Sequence, residues 1–287
     1  MFISNLEAFF AVLIFSFVPV AIKFTAANPF TIGFFRLFVT SFVIFFWWKK
    51  KITFSDFKKS ESWRLFLIGI LFFCHWITYF YAIKTGGASA CVLGMSTYGI
   101  QLIIYGSIFL GYHLKPRNYF SLVLVLMGLY LVLPAFNFNN DFSKGVGLGL
   151  ISASFYSLLP IVHQRTNRFF GHEVRIFSQF FFAFIIFILF LPRTDWNLLQ
   201  KDWWGLIFLA VFGTLIAHSL WAKATSALPT YISGIIYYAI TPSALFLSHL
   251  MFNEILTMKQ IFGATLIVIA AIYNVWSSHD QHNTIKK

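Results

Sequence analysis

Stretches of about twenty mostly apolar residues recur ten times along this chain, each long enough to cross a bilayer as a helix. Their bounds are roughly 5–24, 29–48, 63–83, 87–111, 117–134, 145–164, 173–192, 203–222, 229–252 and 259–277. Too little lies between them to build a water-facing domain. Only 10% of the 287 residues are charged and 59% are hydrophobic, against roughly a quarter charged in a soluble domain. The chain therefore reads as an all-α polytopic membrane protein of ten transmembrane helices. The first stretch follows Met1–Asn5 with no basic leader and is read as a retained span. Pro29, Pro116 and Pro229 fall at span starts, where a missing N–H costs little. Pro19, Pro160 and Pro242 fall inside spans, where they are expected to kink or break the helix.

The chain also repeats itself. Pro19 in FSFVPVAIK and Pro160 in YSLLPIVHQ stand 141 residues apart, and with them Ser16 recurs as Ser157 and Phe15 as Tyr156. At an offset of 142, Ala82 recurs as Ala224, Leu114 as Leu256 and Leu124 as Leu266. Two copies of one unit are implied, residues 1–138 and 139–280, followed by a cytoplasmic tail, 281–287. Five helices per copy is an odd number, so the copies would cross the membrane in opposite senses. Inverted repeats with matched helix interruptions are characteristic of secondary transporters.

The 21 Lys and Arg residues test the orientation. Fourteen fall on the side holding both termini and five on the other, with Lys23 and Arg36 left at the outer edge. Both termini are therefore expected in the cytoplasm. The net charge of +12 is explained by these flanking residues; no nucleic-acid motif accompanies it. Cys74 and Cys91 lie within spans and read as small packing residues. No metal or cofactor motif is present in the sequence.

The segments SFVPVAIK and GFFRLFVTS in the first half resemble the drug/metabolite transporter superfamily, EamA type. So does AKATSALPTYISGIIYYAITPSALFLSHLMFNEIL followed by GATLIVIAAIYNV in the second. Thr241–Pro242, Glu254 and Gly263 follow the repeat pattern, whereas Ile100 stands where the family has proline and Tyr112 where it has glutamate. The resemblance covers nearly the whole chain. It implies a ten-helix inner-membrane carrier of two inverted EamA repeats, with a central cavity that opens alternately to each side.

The nine acidic residues all lie in loops or near span ends. No carboxylate is offered for ion coupling at mid-membrane, which leaves histidine as the side chain that could carry protons. His75 and His218 fall near equivalent positions of the two halves; they either face a cavity or bond neighbouring helices. Tyr79, Tyr98, Tyr156 and Tyr238 are pocket candidates because a phenol in mid-membrane needs a partner; Trp221 and Gln101 join them. The spans holding Pro19, Pro160 and Pro242, with the small-residue fourth span, are the expected cavity walls and gates. Gly145, Gly149 and Ser152 read as a packing stripe. Lys23 and Arg36 either snorkel to headgroups, the favoured reading, or attract a carboxylate or phosphate; Arg36, the deeper, is then the better placed.

The leading function is alternating-access transport of a small polar or zwitterionic metabolite, an amino acid or related compound, with export favoured by family analogy. The alternative is uptake or exchange of a nucleoside-like metabolite such as S-adenosylmethionine, its base stacked on aromatic walls. An intramembrane enzyme would need a nucleophile or metal constellation, and no HExxH, GxSxG or buried Asp pair occurs. A non-transporting scaffold would leave the matched helix breaks unexplained. The partners are a small-molecule substrate and the lipid bilayer. A monomer could contain the whole pathway, and a homodimer remains compatible.

Overall fold

The computed structural model describes residues 2–112, 116–132, 140–252, 257–259, 261–270 and 273. Glu254, the pair Leu114 and Leu256, and the tail 281–287 lie outside the described residues. The architecture is helical, with no strand among the described residues. The helices are α1 (Phe2–Phe24), α2 (Pro29–Trp48), α3 (Trp63–Met95), α4 (Tyr98–Leu110), α5 (Pro116–Val132), α6 (Asp141–Thr166) and α7 (His172–Ile188). Next come α8 (Gln200–Phe208), a π-helical segment (Leu209–Ile216), α9 (Ala217–Ala227), α10 (Thr230–Tyr237), α11 (Ile240–Phe252) and α12 (Ile261–Ala270). Five helical runs are long and apolar enough to cross a membrane: Ile3–Phe24, Pro29–Trp48, Ser60–Met95, Asp141–Thr166 and Gln200–Ala227.

The repeat is visible in the helix bounds. α3 is broken at Gly87, whose φ of 86° and ψ of 171° suit only a residue without a side chain. Its second limb, 88–95, returns 142 residues later as α10, and α4 returns as α11. The break before α10 has a different cause. Leu228 is extended (φ −91°, ψ 144°), as the residue before a proline prefers to be. A second interruption falls at Ser96–Thr97 in one half and at Tyr238–Ala239 in the other. In each, the N–H bonds the carbonyl three residues back, Thr97 to Gly94 and Ala239 to Ile236, before the helix resumes.

This corrects the expectation for Pro242. It does not kink a continuous helix; it is the third residue of α11, where the N–H has no intrahelical partner to lose. Ile100 holds the same place in α4, so the first-half break forms without proline. Pro19 and Pro160 do lie within continuous helices, α1 and α6.

Packing follows the same symmetry. α3 lies on α6 as α9 lies on α1; α3 meets α7 as the π-helical segment meets α2; α4 meets α6 as α11 meets α1. The stripe Gly145–Gly149 lets the α6 backbone touch Gly86 and Gly94 of α3, the close approach that small residues permit in membranes. Gly99 of α4 and Gly234 of α10 make a second such crossing.

Polarity is inverted relative to a soluble protein. Buried positions include Thr31, Arg36, Thr40, His75, His163, Arg175, Gln179 and His218. Phe38, Phe42 and Phe46 are exposed along one face of α2, with successive rings from Phe34 at 6.2, 6.1 and 4.6 Å. An apolar exterior around a partly polar interior is what a bilayer requires.

Candidate functional site

The halves meet around a cavity of about 30 Å³, room for about one water. α1 gives it Phe15, Val18 and Pro19; α2 gives Arg36; the two limbs of α3 give His75, Trp76, Tyr79, Val92 and Met95. Tyr156 of α6, His218 of α9, Tyr237 of α10 and Ile240 of α11 complete the wall. None of these residues is acidic. Pairs related by 142 residues line it together: Trp76 with His218, and Met95 with Tyr237.

Each polar group has a defined setting. The Ser152 hydroxyl donates to the His75 carbonyl at 2.8 Å. It must therefore accept from His75 Nδ1, 2.7 Å away. That fixes the proton on Nδ1 and leaves Nε2 as an acceptor. The His75 ring stacks on Tyr156 at 4.2 Å with an interplanar angle of 18°. The Tyr156 hydroxyl lies 3.2 Å from His218 Nδ1. Phe15 packs against His218 at 4.7 Å, and Tyr98 against Tyr237 at 4.0 Å. Trp221 Nε1 donates to the Tyr98 hydroxyl at 3.2 Å.

Arg36 overturns the snorkelling expectation. It is 1% exposed, points inward, and places its guanidinium 4.1 Å from the Trp76 ring centre and 5.6 Å from that of Phe80. Its Nε donates to Thr214 Oγ1 at 2.8 Å. Thr214 in turn donates to the Leu209 carbonyl five residues back, at 2.8 Å, within the π-helical segment. Such wide turns re-aim side chains and cluster at functional sites. Gly213 keeps this wall clear: a Cβ there would stand 3.0 Å from Val18 and 3.4 Å from Arg36 Nη2.

Of the residues singled out from sequence, His75, Tyr79, Tyr156, His218, Arg36 and Pro19 line this cavity. Pro160 and Trp221 line a smaller adjoining one of about 10 Å³ with His163 and Gln179, and Tyr98 packs behind both. Tyr238 lies apart, among Val125, Ile267 and Ala270. Gln101 also does not reach the cavity; it donates to Thr97 Oγ1 at 3.0 Å. Pro242 is not in the wall. Trp76 and Tyr237, two of the many mid-span aromatics but not singled out among them, also line it, as does Met95; applying the 142-residue offset to His218 and to the helix-break region points to them.

Polar ties close both ends of the bundle. At one end Gln164 donates to the carbonyls of Thr225 and Leu228 at 2.8 and 2.9 Å and accepts from Tyr112 at 3.0 Å. Beside it Arg175, one of the fourteen basic residues assigned from sequence to the side holding both termini, is buried and donates to the His163 carbonyl at 2.7 Å and to Asn167 Oδ1 at 2.9 Å. At the other end Asp202 accepts from the Ala26 N–H at 2.8 Å, and Lys84 donates to the Thr25 carbonyl at 2.6 Å. A larger space of about 590 Å³ between α2 and α7 is walled mostly by phenylalanine and is hydrocarbon-like rather than polar.

The two repeated halves of this helical protein share one cavity, lined by aromatic and apolar side chains with Arg36, His75 and His218 among them. The sequence matches the EamA-like transporter family model twice, over residues 3–133 and 143–276, and the chain belongs to that family. It is thus a membrane transporter of the drug/metabolite type. A solved structure titled only as the crystal structure of a protein matches with a TM-score of 0.76 at 19% identity. The match covers 97% of this chain and 98% of that one, a likeness of fold. No curated protein matches the sequence.

Proposed function

We propose that the chain is a secondary transporter that carries a small polar or zwitterionic metabolite, an amino acid or related compound, across the inner membrane by alternating access. Ten spans in two oppositely oriented repeats would rock about the central cavity, with both termini in the cytoplasm and export as the direction. The observation that carries this reading is that symmetry-related positions of the two halves converge on one cavity. Its present volume fits about one water, so admitting a metabolite requires the helices to separate. The ties at Gln164 and at Asp202 are then alternative gates.

The test is flux of labelled amino acids and related metabolites in sealed proteoliposomes. Saturable uptake that is accelerated by the same solute inside supports the reading. Saturable binding without flux would replace it with a receptor or scaffold.

A further inference from the structure

Arg36 is bonded through one nitrogen only. Nε is held by Thr214, while Nη1 and Nη2 are buried without a partner. A cation removed from water is costly unless it is paired and its donors are satisfied. No acidic residue lines the cavity, and the described carboxylates with assigned partners are engaged elsewhere: Glu7 with Lys223, Asp56 with Lys59, Asp141 with Lys144, Glu173 with Lys51, Asp195 with the Asn197 N–H and Asp202 with backbone N–H groups. If Arg36 were only a cross-link between α2 and the π-helical segment, a neutral donor to Thr214 would serve with no charge to bury.

The guanidinium is instead presented as a fork. Trp76 lies against it at 4.1 Å and Thr214 fixes Nε, which leaves the Nη1–Nη2 edge. Two parallel donors on a planar cation match the two oxygens of a carboxylate or phosphate. We infer that Arg36 is the anchor for an anionic group, carboxylate or phosphate, on the transported metabolite. This rests on reading the chain as a transporter of a small metabolite. Within it, His75 offers the Nε2 acceptor to a hydroxyl or ammonium further along the substrate. Prolines 19 and 160 remove the N–H that would bond the carbonyls of Phe15 and Tyr156, two more wall residues. A zwitterion or a hydroxy acid fits this arrangement; a solute with no anionic group does not.

The test uses the detergent-solubilised full chain and matched solute pairs: alanine with alaninamide, lactate with lactamide, and glycerol phosphate with glycerol. Thermal shifts are read up to about 10 mM, ten times the upper end of ordinary affinities. At least one anionic member is expected to shift the midpoint saturably, its uncharged-end partner not at all. Arg36→Gln should weaken that binding at least about thirtyfold. Without ligand, Arg36→Met should melt no lower than the parent, because it removes an unpaired buried charge. The inference is overturned by equal shifts from both members of a pair, by no shift from any anionic member, or by unchanged binding in Arg36→Gln. Flux separates it from the parent reading. A solute carried equally by the parent and Arg36→Gln removes the anchor but keeps the transporter, whereas Arg36-dependent binding without flux does the reverse.

Discussion

Replacing Gly99 by alanine tests the contact between the two interrupted helices. An added Cβ would stand 2.5 Å from the Gly234 carbonyl oxygen and 2.5 Å from the Tyr238 ring. Even a weak C–H···O contact needs about 3.3–3.6 Å, so α4 and α10 must part by about 1 Å. Such overpacking costs typically about 1–3 kcal/mol, and the helix propensity gained over glycine returns at most about 1 kcal/mol. The net expectation is a destabilisation of about 1–2 kcal/mol. Gly234→Ala should behave alike, since its Cβ would stand 2.9 Å from the Gly99 carbonyl oxygen. Once the helices have separated, the second alanine meets less resistance. The double variant should therefore fall short of the sum by about 1 kcal/mol. Reversible unfolding in mixed micelles, measured on all four proteins, gives the cycle. Strict additivity, or a Gly99→Ala variant more stable than the parent, would refute backbone contact at this crossing.

Gly87→Ala should cost about 1–3 kcal/mol although the space around it is open, because φ is 86°; Gly147→Ala, also in open space but with ordinary helical backbone, should gain up to about 1 kcal/mol, and thermal midpoints of the pair check this. Ser152→Ala should destabilise by about 1 kcal/mol and reduce flux, since it removes the nearer partner of His75 Nδ1 and the donor to its carbonyl, leaving Nδ1 only the Ser152 backbone carbonyl at 3.2 Å. Gln164→Leu cuts the ties to Thr225, Leu228 and Tyr112, so hydrogen exchange at 222–228 should quicken while that of α3 is unchanged.

The membrane fold was legible because apolar runs of span length are a direct reading of bilayer thickness. The repeat was legible as well, from Pro19 and Pro160 and their neighbours. The helix breaks were only half legible. Proline marks one, but Gly87 and the Ser96–Thr97 turn do the same work with no shared residue type, and the break before α11 precedes Pro242 instead of falling on it. His75, Tyr156 and His218 could be chosen because polar rings in a span need a reason. Tyr238 passed the same filter yet turns toward α5 and α12, since rotation about the helix axis decides its side and local composition does not record it. Arg36 looked like an interfacial charge because its position along the sequence is near a span end. Its inward direction depends on the π-helical segment of the facing helix, which no local pattern in α2 reveals.

Alternating access is tested most directly by thiol labelling at Met95, a cavity-lining residue in the second limb of α3. Met95→Cys is placed in a chain carrying Cys74→Ser and Cys91→Ala, and sealed vesicles of each orientation meet a membrane-impermeant reagent. The account predicts labelling from both sides, slowed from both by a transported solute. Labelling from one side only, at any solute concentration, would contradict it.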